Sequence, residues 1–185
     1  PLRSCRASSN GGGISIMCDG AGDKESIGWY QQVLDRGQLS CRGFLHGSVF
    51  LHTDLATTEN QIKSYAQHPL HAYNNRLWLR GMKVFLDGGM LTGTAFMRKP
   101  WGASKIYSIT DPDYRGLLFI QPERLYEVFR LAMAHGLQTT AHSAGDGAVH
   151  AMVDAYERID REFSVRSHRP CICHSNFMSL EAIEK

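Results

Sequence analysis

The chain has 185 residues, of which 43% are hydrophobic and 21% are charged, a composition typical of a globular domain with one sizeable core. Its 20 basic and 18 acidic residues are scattered and give a formal net charge of +2, so no basic run favours nucleic-acid binding. No apolar stretch approaches the roughly 20 residues of a membrane span and no signal peptide is recognisable, so we expect a cytoplasmic protein without membrane contact.

Short strand-like runs alternate with longer amphipathic runs along the chain, which predicts βα units and a parallel sheet. In the first half, strands are predicted over residues 13–18, 39–46 and 78–86. A helix that begins after Asp23 and a second one over 55–67 connect them. The third strand is the clearest, because apolar residues alternate there with glycine, lysine, phenylalanine and aspartate.

The second half begins with an irregular segment, residues 88–115, whose length is typical of a functional loop such as a pocket lid. A helix with Pro122 in its first turn follows, and it leads to a strand over 137–142. Asp146 is predicted to cap the next helix, and the last strand is predicted over 171–174. We interpret residues 1–185 as one α/β domain that forms part of a TIM-type (β/α)8 barrel, with five parallel strands and helical crossovers.

The five cysteines show no paired spacing, and most fall in apolar runs, which indicates buried reduced thiols rather than a disulfide scaffold. Cys171 and Cys173 lack the second pair that a zinc knuckle needs. A nucleotide-binding domain is also disfavoured, because no glycine-rich turn lies between a strand and a helix.

Polar side chains occupy the carboxyl ends of three predicted strands, where barrel enzymes build their active sites. On the third strand Lys83 and Asp87 share the face opposite the apolar residues. His142 ends the polar row of the fourth strand. On the fifth strand Ile172 and His174 share a face opposite the two cysteines. Lys83, His142 and His174 are therefore expected to converge on the barrel axis.

Two imidazoles and a lysine form a donor set that suits a divalent metal, with zinc expected. A lysine ammonium is a poor ligand, but carboxylation by carbon dioxide converts it to an anionic carbamate that bridges two metals. One or two ions then activate a shared water and polarise a substrate carbonyl. Asp87 is expected either to orient a ligand or simply to end its strand, and Asp146 is a weaker candidate to support the ligands because helix capping explains it.

Three segments resemble the amidohydrolase superfamily, in the branch that contains N-substituted formamide deformylase. Residues 81–89 (GMKVFLDGG) resemble the fourth-strand segment of that branch, residues 141–149 (AHSAGDGAV) the fifth and residues 171–176 (CICHSN) the sixth. Residues 113–118 (DYRGLL) are similar to a connector before the fifth strand. The resemblance implies that Lys83 is the carbamylated bridging ligand, and that His142 and His174 hold the second metal.

The sequence departs from the superfamily pattern in four features. Cys173 stands where the family usually has an acidic residue, and Gly147 where it has a basic or larger one. The sequence contains no His-x-His pair, which the family takes from its first strand, and the catalytic Asp of the last strand is not recognised. We therefore expect the chain to be a fragment that covers about strands two to six of the barrel.

The resemblance implies a metal-dependent hydrolase that cleaves C–N bonds of a small amide or formamide through a metal-bound hydroxide, with catalytic residues Lys83, His142 and His174. The alternative is a non-catalytic truncated barrel that binds metal weakly or assembles with a partner. A half-barrel leaves two edge strands unpaired, so we expect homo-oligomerisation or association with the remaining barrel segments.

Overall fold

The computed structural model of the chain describes residues 12–51 and 53–185. Within these residues the strands are β1 (Ile16–Gly22), β2 (Arg42–Ser48), β3 (Leu77–Phe85), β4 (Gln138–Ser143) and β5 (Cys171–His174). The α-helices are α1 (Lys24–Asp35), α2 (Leu55–Ala66), α3 (Pro122–Ala134), α4 (Asp146–Asp160) and α5 (Leu180–Glu184). Two short 3-10 turns, Pro69–His71 and Arg166–His168, precede β3 and β5.

The strands form a single sheet in sequential order, β1-β2-β3-β4-β5, and every neighbouring pair is parallel. A helix connects each strand to the next, and the sheet curls into a half-barrel. The predicted fold class, a partial TIM-type barrel with five parallel strands and helical crossovers, is therefore confirmed. Among the described residues no helix has the length and apolarity needed to cross a membrane.

The first two strands begin later than predicted, at Ile16 and Arg42 rather than at residues 13 and 39. Leu39 and Cys41 are buried although they precede β2, so the apolar run indicated burial and not strand pairing. β1 also continues further than predicted, through polar residues and glycines that the apolar pattern did not include. In its pairing with β2, Ile16 lies opposite Arg42 and Asp19 lies opposite Leu45.

The hydrophobic core lies between the convex face of the sheet and the helices.

Three aspartates lie at or near helix starts, and two of them cap their helices. Asp23 caps α1 by accepting from the Ser26 amide, as predicted, and Asp54 caps α2 in the same way. The predicted cap at Asp146 is wrong, because Gly145 occupies the N-cap position and Asp146 is the first residue of α4.

Gly145 stands at that cap because a side chain does not fit there. A Cβ at Gly145 would lie 2.0 Å from the carbonyl oxygen of Phe96. The Asp146 carboxylate instead accepts a hydrogen bond from the Arg98 amide at 2.9 Å. It therefore attaches the 88–115 segment to the start of α4.

Gly81 of β3 allows a similarly close approach, and replacing it is expected to destabilise the sheet. A Cβ at this position would lie 2.0 Å from the Gln138 carbonyl oxygen of β4, a backbone atom that can move only if the strands separate. We expect Gly81→Ala to lower the free energy of unfolding by about 2–3 kcal/mol, as for other overpacked sites. Urea denaturation followed by circular dichroism measures the change.

Gly28→Ala is the matched control, because a Cβ at Gly28 in α1 meets no atom within 4 Å. Alanine there is expected to stabilise the chain by about 0.5–1 kcal/mol through its helix propensity. Equal urea midpoints for the two variants would contradict the close approach at Gly81.

Candidate metal centre

The register of the sheet fixes which side chains face the inside of the half-barrel. Paired residues of parallel strands point to the same side, and Lys83 pairs with Thr140, while His142 pairs with both Phe85 and Cys173. The alternate residues of β3 and β4 are buried against the helices. Lys83 and His142 therefore both lie on the inner face, near the carboxyl ends of their strands, as predicted.

His142 is oriented by the backbone that follows β3. Its Nε2 lies 3.1 Å from the Gly88 carbonyl oxygen and 3.6 Å from Asp87 Oδ1. Because a carbonyl oxygen only accepts, Nε2 carries the proton, and the lone pair of the neutral ring is on Nδ1. Histidines that bind metals are typically held in this way, with the second ring nitrogen donating to a carbonyl or carboxylate.

His174 lies beside His142, but the backbone conformation that places it there differs from the predicted strand. Cys173 lies on the inner face, where its Sγ is 3.3 Å from Thr140 Oγ1, and Ile172 packs against the hydrophobic core. A regular strand would send His174 to the helices together with Ile172. Instead His174 and Ser175 have φ values of 75° and 41°, which turn the chain out of the extended conformation.

This turn places the two imidazole rings in contact. The ring centroids of His142 and His174 are 4.4 Å apart with an interplanar angle of 61°. The prediction that His174 shares a face with Ile172 is therefore wrong, because the backbone leaves the strand conformation at His174 itself. The two histidines nevertheless lie side by side at the carboxyl ends of β4 and β5.

The surroundings of His174 favour its neutral form. His174 is exposed, but the protein atoms around it remove some of its solvation, and this lowers its pKa below the usual value. The neighbouring His142 and Lys83 lower the pKa further, while Asp87 acts in the opposite direction. Neutral imidazole is the form that binds metal ions. The lowered pKa therefore favours the form of His174 that can act as a ligand.

Lys83 is a nearly buried lysine on the inner face, with 8% of its surface exposed. Its Nζ lies 5.2 Å from the ring centroid of Phe85. Gly20 of β1, two strands away in the sheet, comes so close that a Cβ there would lie 3.5 Å from Lys83 Nζ. The amine thus lies over the inner surface between β1 and β3.

Asp87 has a role that the sequence did not reveal. Its carboxylate is fully buried and accepts three backbone hydrogen bonds, from Phe96 at 3.0 Å, Ala144 at 2.9 Å and Gly145 at 2.8 Å. The carboxylate therefore joins the end of β3 to the β4–α4 loop and to the 88–115 segment. Its position beside His142 also fits the predicted role of orienting a ligand.

The 88–115 segment is attached to the body of the domain at several points. The Phe96 carbonyl accepts from the Gly147 amide at 3.0 Å, in the first turn of α4. Arg98 forms an ion pair with Glu181 of α5 at 2.7 Å. Its role as a pocket lid stays a prediction.

A polar row crosses the inner face below the candidate centre. His46 of β2 is buried, and its Nε2 lies 2.8 Å from Gln138 Oε1, above the backbone of Gly81. Gln138 Nε2 donates to the Arg169 carbonyl, so its Oε1 is the acceptor and His46 Nε2 carries the proton. His46 Nδ1 then accepts from the Cys18 thiol, at 3.7 Å.

The cysteines on the inner face correct the expectation of buried thiols. Cys41 is buried, but Cys18 and Cys171 are exposed and Cys173 is partly exposed. All four are free, whereas Cys5 lies outside the described residues. Although Cys18 is exposed, loss of solvation on the inner face raises the pKa of its thiol, and Cys171 and Cys173 raise it further.

The two imidazoles need further ligands to hold a metal ion, and Lys83 is the candidate on the same inner face. Within residues 12–51 and 53–185 no three His, Cys, Asp or Glu side chains converge in a geometry that holds a metal. His142 and His174 supply two neighbouring imidazoles, one of them oriented by a carbonyl as in known metal sites. A carboxylated Lys83 on the same face would provide the anionic oxygen ligand that is otherwise absent from this set.

Comparisons with known proteins place the chain in a family. The sequence model of the amidohydrolase family matches residues 4–185. Protein LONG AFTER FAR-RED 3 of Arabidopsis thaliana is 29% identical over 103 residues, which cover 56% of this chain and 16% of that protein. The chain therefore spans only a small part of this curated relative.

Two crystal structures of uncharacterized metal-dependent hydrolases resemble the chain. The structure from Pyrococcus furiosus has a TM-score of 0.77 at 21% identity, and the one from Pyrococcus horikoshii OT3 has a TM-score of 0.69 at 18% identity. Both alignments cover 99% of this chain, but only 34% and 40% of the two hydrolases. At these identities the likeness shows the fold, and the chain corresponds to less than half of each structure.

Proposed function

This chain belongs to the amidohydrolase family, and we propose that it forms part of a metal-dependent hydrolase that cleaves the C–N bond of a small amide or formamide. The observation that carries the proposal is the contact between His142 and His174 at the carboxyl ends of β4 and β5, with Lys83 on the same inner face. The likeness of the three strand segments to N-substituted formamide deformylase favours a formamide among these substrates.

In this proposal the chain's own residues bind and orient the reaction partners. His142, through Nδ1, and His174 would hold a divalent ion, with zinc favoured by the imidazole ligands. A bound divalent ion would polarise the substrate carbonyl and lower the pKa of water. The Gly88 carbonyl keeps His142 in the required tautomer, and Asp87 holds the loops around it in place.

Lys83 needs one covalent step to take part as a ligand. The ammonium first gives a proton to water, and the neutral amine then attacks the carbon of carbon dioxide. An N–C bond forms, the electron pair of one C=O π bond moves to its oxygen, and the nitrogen releases a second proton to water. The product is a carbamate with one negative charge. Lys83 thereby changes from a cation that repels a metal into an oxygen donor.

A second function stays open, that of a non-catalytic module that binds metal weakly or assembles with a partner. The observation that favours it is the small donor set. The sequence contains no His-x-His pair, and the described residues bring only two imidazoles together at the centre. A chain of this kind would bind zinc without hydrolysing an amide.

Turnover separates the two functions. The purified chain is supplied with zinc and bicarbonate and incubated with a panel of formamides and amides, and release of amine is measured. The hydrolase proposal expects amine release that a chelator abolishes and zinc restores, and that Lys83→Ala lacks. Zinc binding without amine release from any member of the panel would favour the non-catalytic function.

A further inference from the structure

An apolar pocket of about 400 Å³ opens at the carboxyl ends of β2 and β3, beside the candidate metal centre. Its lining consists entirely of hydrophobic side chains: Val49, Phe50, Leu51, Phe85, Phe119 and Ile120. Pockets for small molecules have similar volumes, from about 300 Å³ upwards, and are lined mainly by apolar and aromatic groups. The absence of charge from the lining favours an uncharged occupant.

Backbone hydrogen bonds fix the walls of this pocket to the sheet. The Val49 amide donates to the Lys83 carbonyl at 2.9 Å, and the Phe119 amide donates to the Leu86 carbonyl at 2.9 Å. Leu118 also forms a bridge with Asp87. Both walls are therefore attached to β3, the strand that carries Lys83.

Phe85 connects the pocket to the candidate metal centre. Its ring lines the pocket, and the same ring has its centroid 5.7 Å from that of His142 and 5.2 Å from Lys83 Nζ. The Phe85 ring therefore separates the pocket from His142 and Lys83. A molecule whose polar group contacts these two residues could place an apolar group in the pocket if it spans the width of that ring.

We propose that this pocket binds an aromatic or branched aliphatic group of the substrate, and that the enzyme acts on neutral amides with such a group next to the scissile bond. This inference rests on the proposed function, which places that bond at His142, His174 and Lys83. Phe50 and Phe119, which are 53% and 57% exposed, would be covered by the substrate when it binds. Burial of this apolar surface supplies the affinity.

Fluorine NMR on the full 185-residue chain tests the proposal by binding, without requiring turnover. The probes are para-fluorophenylacetamide and fluoroacetamide, which share the amide group and differ in the phenyl ring. The phenyl probe is expected to bind, and the small probe to bind at least about tenfold more weakly, because it buries little apolar surface. Phe119→Ser and Phe50→Ser are each expected to weaken binding of the phenyl probe about fivefold.

Ile106→Ser is the matched control, because Ile106 is 89% exposed and lies outside the pocket. It should leave the affinity unchanged. Equal affinity of all variants would overturn the proposal. Failure of the phenyl probe to bind the wild-type chain would also overturn it, and this is the result expected if other barrel segments cover the pocket. If the probe binds as expected and no amide is hydrolysed, the pocket stands and the proposed function fails.

Discussion

Replacing Asp87 by alanine is expected to lower the free energy of unfolding by about 3–5 kcal/mol. The carboxylate is buried and accepts from the amides of Phe96, Ala144 and Gly145. Alanine would leave these amides without an acceptor in a place that water does not reach easily, and each unsatisfied group costs roughly 1–3 kcal/mol. Urea denaturation followed by circular dichroism measures the loss.

Asp111→Ala provides the control, because Asp111 accepts a comparable hydrogen bond from the Asp113 amide at 2.9 Å but is exposed. Water replaces the lost acceptor there, so a change below about 1 kcal/mol is expected. Asp87→Asn is expected to fall between the two, since the amide retains one oxygen acceptor. If Asp87→Ala unfolds at the same urea concentration as Asp111→Ala, the carboxylate does not hold these loops together.

The sequence predicted the fold well because the signals that define it are periodic. The alternation along β3 identified the faces of the strand, and the order of strands and helices identified a parallel sheet. The start of α1 followed from a local capping rule at Asp23. These signals depend on short segments of chain, so the sequence is sufficient to read them.

The errors arose where contacts between distant segments decide the structure. Asp146 does not cap α4, because the Phe96 carbonyl approaches the chain so closely that only glycine fits at the cap. His174 does not follow the alternation of β5, because its φ of 75° turns the side chain towards His142. Neither the close approach nor the turn has a periodic signal in the sequence.

The candidate site shows the same division. Strand alternation placed Lys83 and His142 on the inner face, where the structure has them. It placed His174 wrongly, so only the family motifs selected that residue, and the role of all three as metal ligands stays a prediction. The loop connections of Asp87 and the row of His46, Gln138 and Cys18 were not identified, because each links residues far apart in the chain. The sequence signals for Asp87 were its place at the end of a buried strand, on the face of Lys83 and ahead of two glycines, and they do not show which amides it binds.

The largest expected effect is on metal affinity. His142→Ala and His174→Ala are each expected to weaken zinc binding to the chain by at least about 100-fold, because each removes an imidazole ligand, and loss of even a supporting group costs about 10–100-fold. Isothermal titration calorimetry with zinc measures the affinities. His168→Ala is the control, since His168 lies in the turn before β5 and its ring nitrogen contacts Ser164 and Ser167 instead.

Lys83 has a separate signature that does not depend on activity. NMR of the chain equilibrated with isotopically labelled bicarbonate and zinc is expected to show one carbamate signal, because the carbamate is stabilised as a ligand. Lys83→Arg keeps the positive charge but is not expected to form a carbamate, so the signal should disappear. It should persist in His168→Ala. If His142→Ala binds zinc as tightly as the wild-type chain, or if the carbamate signal survives Lys83→Arg, then these residues do not form the proposed metal centre.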